Sequence, residues 1–165
     1  CIGRPMKNST VEVTPEGNII VSGLTIMSGY VADKENTDKV LKDGKIYSAD
    51  LGDGHEDGLI HLKGRQGDVI NVGGFKVDPV EVENAVVSYE GIKDCICIAD
   101  THPVIGTVLK LLVVLKEGTP FDKHSIARHL KGKLEPHKIP TYYEAVEAIQ
   151  RTYNGKLDRK YYKKA

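Results

Sequence analysis

The chain has 165 residues, with 23 basic and 23 acidic side chains and no formal net charge. That balance gives no electrostatic draw toward nucleic acid or an anionic membrane surface. No apolar run approaches the roughly 20 residues of a membrane-spanning helix, and the length suits one domain or a small domain plus an appendage.

The chain opens on Cys1-Ile2-Gly3-Arg4-Pro5, with no initiator Met and no signal sequence. That start reads as a cut in a longer, cytoplasmic protein. The cysteines are Cys1, Cys95 and Cys97. Cys95 and Cys97 stand two apart on an expected strand, so both point to one face. They are expected as buried or half-buried free thiols, with no second Cys or His pair to complete a zinc site.

Residues 1 to about 63 read as mostly β. Thr10–Val13 and Asn18–Ser22 are β-prone runs joined by a hairpin-type turn at Pro15-Glu16-Gly17. Thr37–Leu41 suits a short helix ended by Asp43-Gly44, and Lys45–Ser48 a strand. Asp53-Gly54 and Asp57-Gly58 mark a turn before a strand at Leu59–Leu62. From Gly64 the pattern becomes mixed α and β. Val69–Val72 is expected to be a strand paired with Leu59–Leu62. Asp78 is a good N-cap, Pro79 suits the first helical position, and Glu81 is placed to close a capping box. That helix runs to about Ser88, with Val82, Ala85 and Val86 on one face.

Ile92–Ala99 and Val108–Leu115 are β-rich runs split by His102-Pro103 and Gly106. Asp122 caps a second helix, with Ile126, Leu130 and Leu134 at helical spacing. Thr141–Ala148 suits either strand or helix, and Leu157–Tyr162 a last short helix after Gly155. A β-rich segment, residues 1–63, is thus followed by an α+β unit, residues 64–165, with the boundary near Lys63–Asp68.

Four features have side chains or backbone suited to chemistry. Arg65 follows a glycine at the boundary, and its fork fits a vicinal diol, a carboxylate or a phosphate. The plainer alternative is a surface pair with Asp68 or Asp50. Asp50, between a strand and a turn, can accept two ribose hydroxyl hydrogens or simply shape the turn. Gly73-Gly74 allows close approach of a ligand to the backbone, or forms a turn or bulge. Lys156, on a glycine-preceded loop, can stabilise a developing negative charge, or be one cation among several in a solvated basic tail. His55, His102, His129 and His137 have no spacing suited to a metal or a nucleophile relay. Asp53–Asp57 lacks the later ligands of a calcium loop, so no metal site is expected within the chain.

In order, these pieces resemble the adenylate-forming superfamily of acyl-CoA synthetases, adenylation domains and luciferases. The matching segments are Gly3-Arg4-Pro5, Gly29-Tyr30, Ser48-Ala49-Asp50, Gly64-Arg65-Gln66-Gly67-Asp68, Gly73-Gly74-Phe75-Lys76-Val77 through Glu81-Val82-Glu83, and Asn154-Gly155-Lys156. The resemblance covers nearly the whole chain, but only the C-terminal third or so of such an enzyme. It implies an α+β fold: the end of a β-barrel-like subdomain, then a small mobile domain with a central sheet. It also implies an ATP-dependent, AMP-forming carboxylic acid–CoA ligase. Asp50 and Arg65 would hold the ATP or AMP ribose, Lys156 would bridge carboxylate and α-phosphate, and Gly73 and Gly74 would line the coenzyme A pantetheine path. Gly67 would sit at the hinge, where the family usually has Lys or Asp. Ala49 replaces a motif glycine, so a positive φ there would be strained. Partners would be a small carboxylic acid, ATP, coenzyme A and the N-terminal domain of the same protein, with Mg held by that domain. No phosphate loop and no acyl pocket are found, so the chain alone is expected to be inactive. The alternatives are a peptide-synthetase adenylation domain and a noncatalytic α+β interaction or sensing module.

Overall fold

A computed structural model describes residues 1–54 and 56–163; His55 lies outside the described residues. The chain divides into two units, Cys1–Gly67 and Asp68–Ala165.

In the first unit, β1 (Ser9–Val13) and β2 (Asn18–Gly23) pair antiparallel across the expected turn, where Gly17 takes a φ of +86°. Helix α1 (Lys34–Val40) starts three residues before the expected run, because the Asp33 side chain accepts the Asn36 amide and so caps it. Lys34–Asp38 and Lys39–Glu35 add exposed ion pairs one turn apart. The short β3 (Leu41–Lys42) turns through Asp43-Gly44 into β4 (Lys45–Gly54), and β5 (Ile60–Arg65) returns antiparallel along β4. The strand order is β1-β2-β4-β3, with β5 also on β4. Among the described residues the sheet stays open and closes no barrel, since β1 and β3 end the order without pairing to each other. Strand β5 continues through Arg65, and the division between units falls after Gly67.

In the second unit, β6 (Ile70–Val72) pairs with β7 (Phe75–Val77) and not with the Leu59–Leu62 run. The cause is local. Gly73 and Gly74 both take positive φ, +56° and +91°, and two such residues make the tight turn whose twist suits a hairpin. Helix α2 (Pro79–Val87) is capped by Asp78, which accepts the Val80 amide at 2.9 Å. The expected capping box does not form: Glu81 receives Lys138 Nζ at 2.8 Å instead. Strands β8 (Ile92–His102) and β9 (Gly106–Leu115) form a long antiparallel hairpin. Helix α3 (Lys123–Lys131) has Asp122 as its cap, and Leu134 falls beyond its end but still packs on the core. The ambiguous run resolves as β10 (Tyr142–Ala145), parallel to β9, giving the order β10-β9-β8. Helix α4 (Arg159–Tyr162) is a single turn capped by Asp158.

Both faces of this three-stranded sheet are covered. One carries α2, α3 and the β6–β7 hairpin, with Val77, Val82, Val86, Cys97, Leu111 and Leu130 buried between them. The other carries a smaller cluster of Ile96, Leu112, Val114 and Ile149, with Leu157 and Tyr162 packed against it. Period-two alternation explains the split: Cys95 and Cys97 face one side and Ile96 the other.

The free edge of β8 is closed by charge. Glu83 on α2 is only 7% exposed. Its Oε1 accepts the Cys97 amide at 2.8 Å, while Arg159 on α4 donates Nη1 and Nη2 to its two oxygens at 2.9 and 2.6 Å. Arg159 Nη1 also donates to the Cys97 carbonyl at 3.2 Å. Asp68 lies 3.5 Å from Arg159 Nε and 3.1 Å from Lys163 Nζ. Burial pushes the Glu83 carboxyl above the usual carboxylate range, against the opposing pull of Arg159 and the Cys97 amide.

Breaking a buried pair by removing one partner costs about 3–5 kcal/mol. Arg159→Met is therefore expected to destabilise the second unit by about that amount in guanidinium unfolding. Glu83→Leu combined with Arg159→Met should recover part of the loss. A single-variant cost below about 1 kcal/mol would mean that the pair is solvated.

The thiols give an independent check on the same edge. Burial, then the Glu83 carboxylate, pushes Cys95 up to about 12, and the same causes raise Cys97. Cys1 is exposed. A thiol reagent at pH 8 should label Cys1 in the native chain and reach Cys95 and Cys97 only on unfolding. Native-state labelling of all three would show that this edge opens.

Candidate functional site

Asp50 and Arg65 face each other as register partners on β4 and β5. Arg65 Nε lies 2.8 Å from Asp50 Oδ1. Asp50, one of the two partners foreseen for Arg65, is a partner in the structure; Asp68 pairs with Arg159 and Lys163. Side-chain exposure is 34% for Asp50 and 67% for Arg65, so solvent screens the pair and it adds well under about 1 kcal/mol of stability. Its consequence is orientation. The Asp50 backbone is held as well: its amide donates to Ser48 Oγ at 3.2 Å, and Ser48 Oγ donates to the Ile19 carbonyl at 3.0 Å. Ala49 lies inside β4 without a positive φ, so the strain foreseen there does not arise. A fixed carboxylate beside a guanidinium on an open sheet surface can bind adjacent hydroxyls.

Gly67 sits in a 3-10 turn, Gln66–Asp68, without a positive φ. A Cβ added there meets nothing within 4 Å. In this conformation neither φ nor crowding requires glycine at that position.

Gly73 and Gly74 form the exposed β6–β7 turn, with the Gly74 amide donating to Asn71 Oδ1 at 3.0 Å. A Cβ at either glycine would also meet nothing within 4 Å. Their positive φ values, not a crowded space, are what favour glycine here. Beside the turn, Phe75 is half exposed and stacks on His137, with ring centroids 4.4 Å apart. Lys138 ties the same segment to Glu81 and Glu135. Sequence reading assigned His137 no role and missed its stacking on Phe75.

Lys156 is exposed on a turn bracketed by an antiparallel bridge between Arg151 and Leu157. The Lys156 carbonyl accepts the Thr152 amide at 2.8 Å, and Gly155 takes a φ of +81°. Arg151 reaches over the turn, donating Nη1 to the Gly155 carbonyl at 2.8 Å and Nη2 to Asp94 Oδ2 at 2.6 Å. Neither Arg151 nor Arg159 stood out from the basic tail in the sequence. Leu157 packs on the Ile96 and Leu112 face, whereas Val72 and Val77, beside the glycine turn, pack on the Cys97 and Leu111 face. The second unit therefore carries the glycine turn and the lysine turn on elements packed against opposite faces of one sheet.

Among the described residues no cluster of His, Cys, Asp or Glu is arranged to hold a metal ion, and no helix is long and apolar enough to cross a membrane.

Residues 81–156 match the family of AMP-binding enzyme C-terminal domains. The chain is 33% identical over 144 residues to a long-chain-fatty-acid–CoA ligase of Bacillus subtilis, covering 87% of this chain and 26% of that protein. It is 34% identical over 142 residues to a feruloyl-CoA synthase of an Amycolatopsis species, covering 86% of this chain and 29% of that one. The chain thus spans about a quarter to a third of the curated relatives it matches. Among solved structures, the amide bond synthetase McbA of Marinactinospora thermotolerans superposes with a TM-score of 0.88 at 27% identity, over 98% of this chain and 35% of that one. ATP-bound MatB of Rhodopseudomonas palustris gives 0.86 at 28% identity, over the same shares. The ordered motifs, the α+β fold and these matches agree: residues 81–156 belong to the family of AMP-binding enzyme C-terminal domains, and the chain as a whole is similar to part of the acyl- and aryl-CoA ligases of the adenylate-forming superfamily.

Proposed function

We propose that the full-length protein is an AMP-forming carboxylic acid–CoA ligase. In this reading Cys1–Gly67 ends its large domain, and the unit from Asp68 onward is its small C-terminal domain. In the first step a carboxylate oxygen attacks the α-phosphorus of ATP and pyrophosphate leaves. In the second the thiol sulfur of coenzyme A attacks the acyl carbonyl, and AMP leaves. The ligase names of the matched relatives favour coenzyme A as acceptor.

Asp50 accepts the ribose hydroxyl hydrogens, held in place by Arg65. Lys156 places its cation where the carboxylate and α-phosphate meet, offsetting negative charge in the transition state. The Gly73-Gly74 turn serves the second step, where a surface without side chains admits the pantetheine arm. Mg accompanies ATP through residues outside this chain. Gly67 supplies the φ,ψ freedom for a rotation of the small domain between steps.

The observation carrying this reading is the placement of the two turns. Two half-reactions of one acyl group, the first at the α-phosphorus and the second at the acyl carbon, need different surroundings, and elements on opposite faces of one sheet can supply them in turn.

In the full-length protein, Lys156→Ala should lower adenylate formation about 100-fold or more. Thioester formation from supplied acyl-adenylate should persist. Unimpaired adenylation would remove Lys156 from the mechanism and favour a noncatalytic role for this unit. The isolated 165 residues should release no pyrophosphate from ATP and an acid; release would contradict the division of labour proposed here.

A further inference from the structure

We infer that Arg151 and Asp94 form a clamp that positions Lys156 for adenylation. The inference rests on the reading of Lys156 given above and assigns two residues to that same site.

A lysine acts on a transition state only if its backbone is fixed, because its own side chain already has four rotatable bonds. Lys156 follows a glycine, and the peptide plane between Gly155 and Lys156 is the one most free to flip. Both carbonyls flanking Lys156 are held. Thr152 donates its amide to the Lys156 carbonyl at 2.8 Å, with its hydroxyl also 3.2 Å away. Arg151 Nη1 donates to the Gly155 carbonyl at 2.8 Å, fixing the plane of the Gly155–Lys156 peptide.

Arg151 is itself anchored. Its Nη2 donates to Asp94 Oδ2 at 2.6 Å, and the other oxygen of Asp94 accepts the Cys95 amide at 2.9 Å. Asp94 stands beside a register irregularity of β8, between Ile92 and Asp94. The chain of contact thus runs from the β8 backbone through a carboxylate and a guanidinium to the peptide before Lys156. A planar fork can hold a carboxylate and a carbonyl at once, which a single ammonium cannot do with the same geometry. The Arg151 and Asp94 side chains are 43% and 28% exposed, so solvent weakens the pair as a source of stability. Orientation of Lys156 is what the geometry supplies.

Arg151 touches no reacting atom in this scheme and is a positioning residue. Displacing a catalytic group by about 1 Å can cost on the order of 100-fold. In the full-length protein, Arg151→Ala should lower kcat for adenylation about 10- to 100-fold. KM for ATP should change little, since ribose recognition is assigned to Asp50 and Arg65. Thioester formation from supplied acyl-adenylate should stay within about twofold of the unsubstituted protein. Asp94→Ala should lower adenylation in the same direction. The double variant should be no worse than Arg151→Ala alone, because both remove one contact chain. Arg151→Lys should recover only part of the loss.

Unchanged adenylation in Arg151→Ala, or an equal fall in both half-reactions, would overturn the clamp. Lys156→Ala in the same assays separates the two claims. If it abolishes adenylation while Arg151→Ala does not, only the clamp fails. If Lys156→Ala is also silent, the reading of the site fails first.

Discussion

The second unit depends on how the outer edge of β8 is satisfied. A three-stranded sheet leaves edge backbone groups open, and an open edge is a site for unwanted pairing. Here the Cys97 amide and carbonyl both point away from β9, and both are taken by one ion pair. Glu83 accepts the amide, Arg159 donates to the carbonyl, and the two side chains hold each other through a fork of two bonds. Helix, edge strand and C-terminal segment meet at this point. A fork of this kind is geometrically selective, so the segment after Ile149 has one preferred register against the sheet.

That constraint matters because, beside the Arg151–Asp94 pair, the C-terminal segment has few other ties to the sheet. Its apolar contribution is Ile149, Leu157 and Tyr162, a smaller patch than the cluster under α2 and α3. Helix α4 is a single turn and has no length from which to draw helical stability of its own. The Tyr162 hydroxyl accepts the Gln150 amide at 3.0 Å, and the Asp158 amide donates to the Gln150 carbonyl at 3.0 Å, so the segment also folds back on itself. Arg159, three residues after Lys156, anchors this small structure to the sheet.

Much of this was legible in the sequence where one local rule decided the outcome. Asp78 and Asp122 read as caps and are caps. Cys95 and Cys97 shared an expected face and share a real one. Where two rules competed, sequence reading failed. Val69–Val72 looked like a partner for Leu59–Leu62 because both runs are apolar, but the positive φ of Gly73 and Gly74 closes a tighter hairpin with Phe75–Val77. Glu81 had the spacing of a capping box and went to Lys138, a partner 57 positions away that no local pattern could name. The ion pair was missed for another reason. Pro79, Val82, Glu83 and Val86 form one buried stripe at helical spacing. A carboxylate within such a stripe requires a cation or a donor beside it. That signal was present, but the cation lay 76 positions on, in a tail whose composition suggested solvent.

The same geometry explains why the two candidate turns can differ so much in chemistry while sharing one scaffold. The glycine turn presents backbone without side chains, on a hairpin packed against the helical face of the sheet. The lysine turn presents a charge, on a segment packed against the other face and anchored at the β8 edge. Neither feature suffices for the chemistry proposed. A bare turn cannot stabilise developing negative charge as a cation does, and a lysine standing in the path of a pantetheine arm would obstruct it. Separating them by the thickness of a buried sheet removes that conflict. It also makes the rigidity of the sheet, rather than flexibility within it, the property the proposed reaction needs. Any change of face then falls to the connection between units, where an added Cβ at Gly67 meets no neighbour and the present backbone makes no use of glycine's freedom. That unused freedom is what a pivot would draw on, and it supports the hinge role proposed for Gly67.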